Sequence, residues 1–314
     1  VYFQEEITPL IHQAIKLDEE ELISSEQLLE FAQVLEEELA KLNQDIEEAP
    51  VKGKDERKNQ RRKLKKVLRK VKDDFSVRAE KYENYQETFE GRNSFSKTDP
   101  DATFMRMKED HMKNGQLKAA YNLQIATENQ FVLHYDVFSN PTDTKTLLPL
   151  LETYPHDVKT VVADAGYGSE ENLLRLDEKE VNHLIKYAMF DQEQKKGYKQ
   201  SARNLANWYY DDKEDSYTHP DGWCYRFHHI KHQKTQTDFQ QEIKVYYADE
   251  PESAPQKGLY MNERYQHLKA KECQVLLSPE GRQIFNQRKI DVEPVFGQIK
   301  AYLGYKRCNL RGKR

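Results

Sequence analysis

Cysteine is scarce in this sequence and badly placed for cross-linking or metal binding. Cys224, Cys273 and Cys308 are odd in number, far apart and form no C-x-x-C pair. That excludes a disulfide framework and a cysteine zinc knuckle, and the three read as reduced thiols without a dedicated role. Long apolar runs are absent too. No stretch of about 18 apolar residues occurs, and the N-terminus lacks the basic, apolar, small-residue order of a secretory signal. No membrane partner is expected, and a cytoplasmic address is. Charge of one sign is not in excess: 49 Lys and Arg against 54 Asp and Glu leave a net charge of -5. That balance argues against nucleic acid only until the charges are read in blocks. What the chain does have is length and charge. Its 314 residues, 37% apolar and 33% charged, suit two or three units of a globular enzyme with a long charged helical portion. It opens at Val1 without methionine and closes on Arg311-Gly312-Lys313-Arg314, so both ends read as trimmed.

Leu28, Ala32, Leu35, Leu39, Leu42 and Ile46 alternate steps of four and three, the seam of a helix that packs on another helix. Acidic residues crowd this helix, and Pro50 and Gly53 break it. The stretch Lys52 to Lys72 is strongly basic, and Leu64, Leu68, Val71, Phe75, Arg78, Tyr82, Tyr85 and Phe89 continue the same stepping. A second helix pairing back on the first is expected. Its lysines either face the acidic partner or present an exposed face to a DNA backbone. The two readings are compatible, since a hairpin uses one face of each helix.

After Gly91 the pattern turns to alternation. Tyr121, Leu123 and Ile125, then Phe131, Leu133 and Tyr135, flank Thr127-Glu128-Asn129-Gln130 and predict a β-hairpin. Asn140-Pro141-Thr142-Asp143 reads as the cap of a helix through Leu151, with Asp143 a capping residue. Val158 to Ala163 form a short buried strand, Ser169 to about Glu180 a helix, and His183 to Tyr187 another strand. From about Asp191 to Arg264, short aromatic and alternating runs with a turn at His219-Pro220-Asp221-Gly222 read as a β-rich insertion. Helical spacing returns from Gly281 to Tyr302, and Pro294 suggests that the main helix starts near Asp291.

Asp164 closes the Val158 to Ala163 strand and precedes the tight turn Ala165-Gly166-Tyr167-Gly168, which leaves its carboxylate at the carboxyl edge of the strand. Ligand sites of α/β sheets gather at that edge, although an isolated aspartate there is more often a turn former. Glu293 falls in the first turn expected for the C-terminal helix, and Lys300 follows seven residues later, about two turns on and on the same face. An acid for metal and a cation for phosphate then line up. Taken singly, the glutamate is an N-terminal acid favoured by the helix dipole and the lysine a solvated one.

Together these strings resemble the DDE transposases of bacterial insertion sequences, in the subgroup with a helical insertion after the first catalytic strand. Ser96-Lys97-Thr98-Asp99-Pro100-Asp101-Ala102 runs into Lys108, and Gly115-Gln116-Leu117-Lys118-Ala119-Ala120-Tyr121-Asn122 opens the hairpin. Val162-Ala163-Asp164-Ala165-Gly166-Tyr167 is similar to the family's second-aspartate motif, and Asp291 to Lys300 to its glutamate motif with the trailing lysine. The family's first aspartate stands in an Asp-Gly-Thr context, and no such string occurs here. The chain therefore reads as N-terminally truncated, with an incomplete triad. Two further departures stand out. Tyr217-Thr218-His219-Pro220-Asp221-Gly222 has histidine where many members have cysteine, and Asn286 and Lys289, with Arg288 adjacent, stand where relatives carry a tyrosine and an arginine.

The resemblance implies an α/β fold: a ribonuclease H-like mixed sheet with helices, plus an N-terminal antiparallel helical hairpin and a β-rich insertion. The expected divisions are 1–95 for the hairpin, 96–190 for the first part of the core, 191–275 for the insertion, and 276–314 for the catalytic helix and basic tail. Asp164 and Glu293 are the expected catalytic and metal-binding residues, for Mg²⁺ or Mn²⁺. Lys300, Arg288, Lys289, Lys306 and Arg307 are the expected DNA contacts. Implied partners are transposon terminal inverted repeats, target DNA and a second copy in a homodimer, with a nucleoid-associated location. The expected activity is metal-dependent cleavage and strand transfer, absent from this chain because the first aspartate is lacking. A metal-dependent nuclease of the same fold and a DNA-binding remnant or regulator are the alternatives.

Overall fold

The computed structural model describes residues 23–50, 54–106, 114–305 and 310–313, and the chain divides into two compact units, 1–90 and 91–314. In the first, Ser24 caps helix α1 (Ser25–Glu48) with a capping box: its side chain accepts the Gln27 amide while the Gln27 side chain accepts the Ser24 amide. Helices α2 (Glu56–Lys70) and α3 (Ser76–Phe89) run on through a π-turn at Val71–Phe75. Leu28, Phe31, Ala32, Leu35 and Val71 form the buried seam, with Leu64, Val67, Leu68, Phe75 and Ala79 packed against it.

The π-turn corrects the expected second seam. One extra residue in a turn rotates everything after it, so Phe75, Ala79 and Glu83 follow Val71 inward, while Tyr82 is left 64% exposed. Ser76 Oγ donates to the Val71 carbonyl at 2.8 Å, supplying a donor where the helical ladder is disturbed. Glu83 then accepts both the amide and the hydroxyl of Ser25. Charge complementarity between the helices is slight: among the described residues, Lys72–Glu36 at 2.7 Å is the ion pair that joins them. Lys58, Arg62, Lys63, Lys65 and Lys66 are exposed, and no ion pair reaches them among the described residues.

The second unit is mixed α/β. Strands β1 (Thr103–Arg106) and β2 (Leu117–Ala120) pair antiparallel. Strands β3 (Asn122–Glu128) and β4 (Phe131–Phe138) form the expected hairpin. Asn129 and Gln130 both have positive φ, as a tight two-residue hairpin turn requires. Helix α4 (Leu147–Thr153) leads to β5 (Thr160–Ala163), and α5 (Glu170–Glu178) connects β5 to its parallel partner β6 (Asn182–Ile185). Both faces of this ladder carry packing, as parallel strands usually do, with β6 the more deeply buried strand. Ala163 and Ile185 pack with Leu147, Leu173, Leu176 and Leu268 on one face, and Leu184 packs with Phe285 and Leu276 on the other. Each fully buried leucine or isoleucine here contributes about 1.5–3 kcal/mol.

Two short helices, α6 (Phe190–Glu193) and α7 (Lys196–Lys199), precede a five-stranded antiparallel sheet. Its strands, β7 (Tyr209–Asp211), β8 (Ser216–Thr218), β9 (Cys224–Lys234), β10 (Gln240–Ala248) and β11 (Gly258–Met261), lie in the order β11-β10-β9-β8-β7. Tyr225 and Tyr246 are its buried centre, with Trp208 tilted against Tyr225 and Tyr217 edge-on to Tyr246. Helices α8 (Glu263–Leu277) and α9 (Pro279–Gly297) complete the unit, followed by a π-turn at Gln298–Tyr302. Helix α9 packs on β3, β4 and β5. Among the described residues the β3–β4 and β5–β6 ladders remain separate, with no strand joining them. No helix among those residues is long and apolar enough to cross a membrane.

Helix α9 departs from the expectation of a start near Asp291. Ser278 caps it through the Gly281 amide at 2.9 Å, Pro279 takes the first turn, and Pro294 lies inside the helix. Proline is tolerated in the first turn because its missing N–H has no intrahelical partner there. At Pro294 the same lack leaves the Ile290 carbonyl without its usual donor. Glu293 is therefore a late residue of a 19-residue helix, so the helix-dipole account of an N-terminal acid does not apply to it. Lys300 lies in the π-turn, so seven residues from Glu293 no longer make two regular α-turns.

Candidate active site

Asp164 stands where the strand pattern places it, exposed at the carboxyl end of β5. It also caps the 3₁₀ turn Ala165–Tyr167, its Oδ1 accepting the Gly166 amide at 2.9 Å. The turn is tight for two reasons. A Cβ on Gly168 would lie 2.2 Å from the Lys186 carbonyl oxygen, so only glycine lets the turn pass the end of β6. A Cβ on Gly166 would lie 2.9 Å from Asp143 Oδ2 and 3.1 Å from Asp164 Oδ1. The Tyr265 hydroxyl fixes the far end of the turn by donating to the Gly168 carbonyl at 2.6 Å.

Asp143 is thus a neighbour of Asp164, which corrects its reading as a helix cap. The residue preceding the 3₁₀ turn Asp143–Lys145 is Thr142, and no side chain caps that turn. The Asp143 carboxylate instead reaches the hairpin, where Oδ1 accepts Asn122 Nδ2 at 2.8 Å and Gln124 Nε2 at 3.0 Å. Gln124 is 3% exposed and its Oε1 accepts the Tyr167 hydroxyl. Burial first, then the negative charges of Asp143 and Asp164, push the Tyr167 phenol well above its ordinary pKa. It stays protonated and donating at any ordinary pH.

From α9, the Arg288 guanidinium lies over the Phe285 ring at 5.5 Å, and its positive charge reaches Tyr167. Arg288 Nε is buried with no hydrogen-bond partner. Lys289, Glu293 and Lys300 are exposed, and Lys306 and Arg307 lie outside the described residues. The structure therefore brings Asp164, Asp143 and Tyr167 together within reach of the Arg288 charge. It does not add Glu293 to that group: among the described residues no three His, Cys, Asp or Glu side chains gather as a metal cluster. Asp99 and Asp101 serve elsewhere. Asp99 accepts the Tyr121 hydroxyl at 2.7 Å and the Gly312 amide at 3.2 Å, and Asp101 accepts the Lys313 amide at 3.0 Å.

Residues 93–314 match the family model described as the transposase DDE domain. The chain belongs to the DDE transposase family. No curated protein and no solved structure matches it. Membership sets the Asp164 edge in context, because DDE transposases act on DNA and generally use a divalent metal. The residues missed from sequence are Asp143, Asn122, Gln124 and Tyr167. The available signal was the pair Asn122 and Gln124, two amides on one face of a strand whose other positions are largely apolar.

Proposed function

We propose that residues 91–314 carry the DNA-cleaving and strand-transferring site of an insertion-sequence transposase, centred on Asp164, with Glu293 of α9 as the further acid that the family resemblance implies. The observation that carries this reading is the exposed Asp164 carboxylate at the carboxyl end of a half-buried parallel strand, within a segment that matches the transposase DDE domain. The β3–β4 and β5–β6 ladders, both packed by α9, suit a ribonuclease H-like core in which a strand bearing the first aspartate joins them. Cleavage and joining are both in-line attacks of an oxygen nucleophile, water or a DNA 3′-hydroxyl, at phosphorus. A bound divalent cation supplies Lewis-acid activation of that oxygen and charge neutralisation at the phosphoryl group.

The residues present fit one hydrated cation. Asp164 and Asp143 border the space that Gly166 keeps open, and Mg²⁺ or Mn²⁺ takes one or two carboxylates with water in its remaining positions. They do not fit a metal pair, since no third carboxylate joins them among the described residues. Lys289 and Lys300, exposed on either side of Glu293 in sequence, are the phosphate contacts of this reading, with Arg288 bearing on Tyr167. The exposed basic face of α2 offers a second, backbone-binding surface. Bringing two transposon ends together calls for two copies of the chain.

The 314-residue chain then binds DNA without cutting it. The test is incubation of the protein with terminal inverted-repeat DNA and Mg²⁺ or Mn²⁺. Retained binding without nicking is expected. Nicking that Asp164→Ala abolishes would refute the predicted inactivity and place a complete set of acids in this chain. Nicking without joining would favour a nuclease.

A further inference from the structure

A second carboxylate beside Gly166, that of Asp143, comes from the segment after β4, and its setting is unlike that of a turn-forming aspartate. Both amide donors to Asp143, from Asn122 and Gln124, fall on Oδ1. The Gln124 amide is oriented from both ends: Nε2 also donates to Asn122 Oδ1 at 2.8 Å, while Oε1 accepts the Tyr167 hydroxyl. Gln124 therefore cannot flip without facing its oxygen to the Asp143 carboxylate. With Oδ1 holding both amides, Oδ2 is left to face the space beside Gly166, and Asp164 Oδ1, which accepts only the Gly166 amide at 2.9 Å and keeps a second lone pair, faces the same space. The two oxygens stand at most about 6 Å apart, since both distances, 2.9 and 3.1 Å, end at the same point. Two like charges this close repel unless a cation lies between them, and the residue that keeps the space open is a glycine.

We propose that Asp143 is a second carboxylate ligand for the divalent cation that Asp164 holds, set in place by the Tyr167–Gln124–Asn122 chain. The inference rests on the reading of Asp164 as a metal ligand and deepens it. It differs from a purely structural role, in which Asp143 only ties the loop to β3. A structural tie needs the Oδ1 acceptor, which asparagine also supplies. A metal ligand needs the second oxygen and its charge.

The experiment is titration of the full chain with Mn²⁺ alone, reading free Mn²⁺ by electron paramagnetic resonance, with circular dichroism melting of each variant. Wild type is expected to hold one Mn²⁺, and Asp143→Asn and Asp164→Asn each to weaken it by about tenfold or more, the scale on which supporting groups tune metal affinity. Gln124→Leu, which leaves both carboxylates and removes the clamp, is expected to weaken it by a smaller factor. Asp143→Asn binding as tightly as wild type while Asp164→Asn is weakened would overturn the role of Asp143 and leave the Asp164 reading standing. No binding by wild type, or no effect of Asp164→Asn, would overturn both. If Asp143→Asn fails to fold, Gln124→Leu decides, and unchanged Mn²⁺ affinity there refutes the proposal.

Discussion

Glu272 offers the sharpest test of how the second unit is held together. It is 1% exposed, its Oε2 accepts the Ile185 amide at 2.8 Å, and its Oε1 lies 2.5 Å from His183 Nδ1. His183 Nε2 lies 3.0 Å from Asp177. Burial pulls the His183 pKa down, but contact with Glu272, and then Asp177, outweighs it and leaves the imidazole above its ordinary value. Replacing Glu272 by alanine strips the Ile185 amide of its acceptor, at about 1–3 kcal/mol, and leaves the buried His183 ring with Asp177 as its remaining acid partner. Removing one partner of such a pair costs about 3–5 kcal/mol in all. For a unit of this size the melting temperature should fall by roughly 6–20 °C. The pH dependence separates the two contributions. Because the folded pKa of His183 is raised, the stability it supplies is fully present below the unfolded value of about 6.5 and is lost as pH rises through the folded value. Glu272→Gln keeps an acceptor for Ile185 but not the charge, so its urea unfolding should lose less stability than wild type between pH 6 and pH 9. Equal losses in the two proteins would show that the pair is not ionic and would refute the reasoning.

Glu170 is a second buried anchor, with a side chain 1% exposed that accepts from Arg264, Gln241 and Asn262 at 2.6–2.7 Å. It ties α5 to β10 and to the start of α8, so Glu170→Ala should cost about 3–5 kcal/mol, read as a shifted urea midpoint. A shift below about 1 kcal/mol, the scale of an exposed pair, would show that the anchor is dispensable. On α2, replacing Lys58, Arg62, Lys63, Lys65 and Lys66 together by glutamine should weaken binding to any duplex. The slope of log affinity against log salt should become shallower by about 0.9 for each phosphate that the face no longer neutralises. An unchanged slope in fluorescence anisotropy would assign that face to solvent alone.

Where the sequence is readable, the deciding interactions are local. The β3–β4 turn, the strand ending at Ala163, the Ser169 cap of α5 and the position of Asp164 all follow from residues within a few positions of one another. The errors share the opposite property. Pro294 resembles a helix start, yet Ser278-Pro279 supplies both the cap and the first-turn proline, and the packing of Phe285 and Val295 carries the helix past the later proline. The π-turn at Val71–Phe75 moves the seam by one residue, which a strict four-three stepping has no means of showing. Asp143 looks like a cap beside Asn140, Pro141 and Thr142, whereas its carboxylate is claimed by amides about twenty residues upstream.

The hairpin makes the physical reason plain. Alternation along β3 and β4 correctly implies two faces, one apolar and one polar, but periodicity alone does not say which face turns inward. A rule that buries the apolar face would hide Leu123, Leu133 and Tyr135, which are 38%, 45% and 65% exposed, and expose Gln124, which is 3% exposed. Burying Gln124 is tolerable only because Asn122, Asp143 and Tyr167 satisfy its amide. A strand that hides its polar face sacrifices apolar burial for a hydrogen-bonded network, and the network ends at the carboxylates beside Gly166. The departure from simple amphipathic patterning and the location of the candidate site are therefore one fact, and such inverted strands mark where sequence patterning gives way to chemistry.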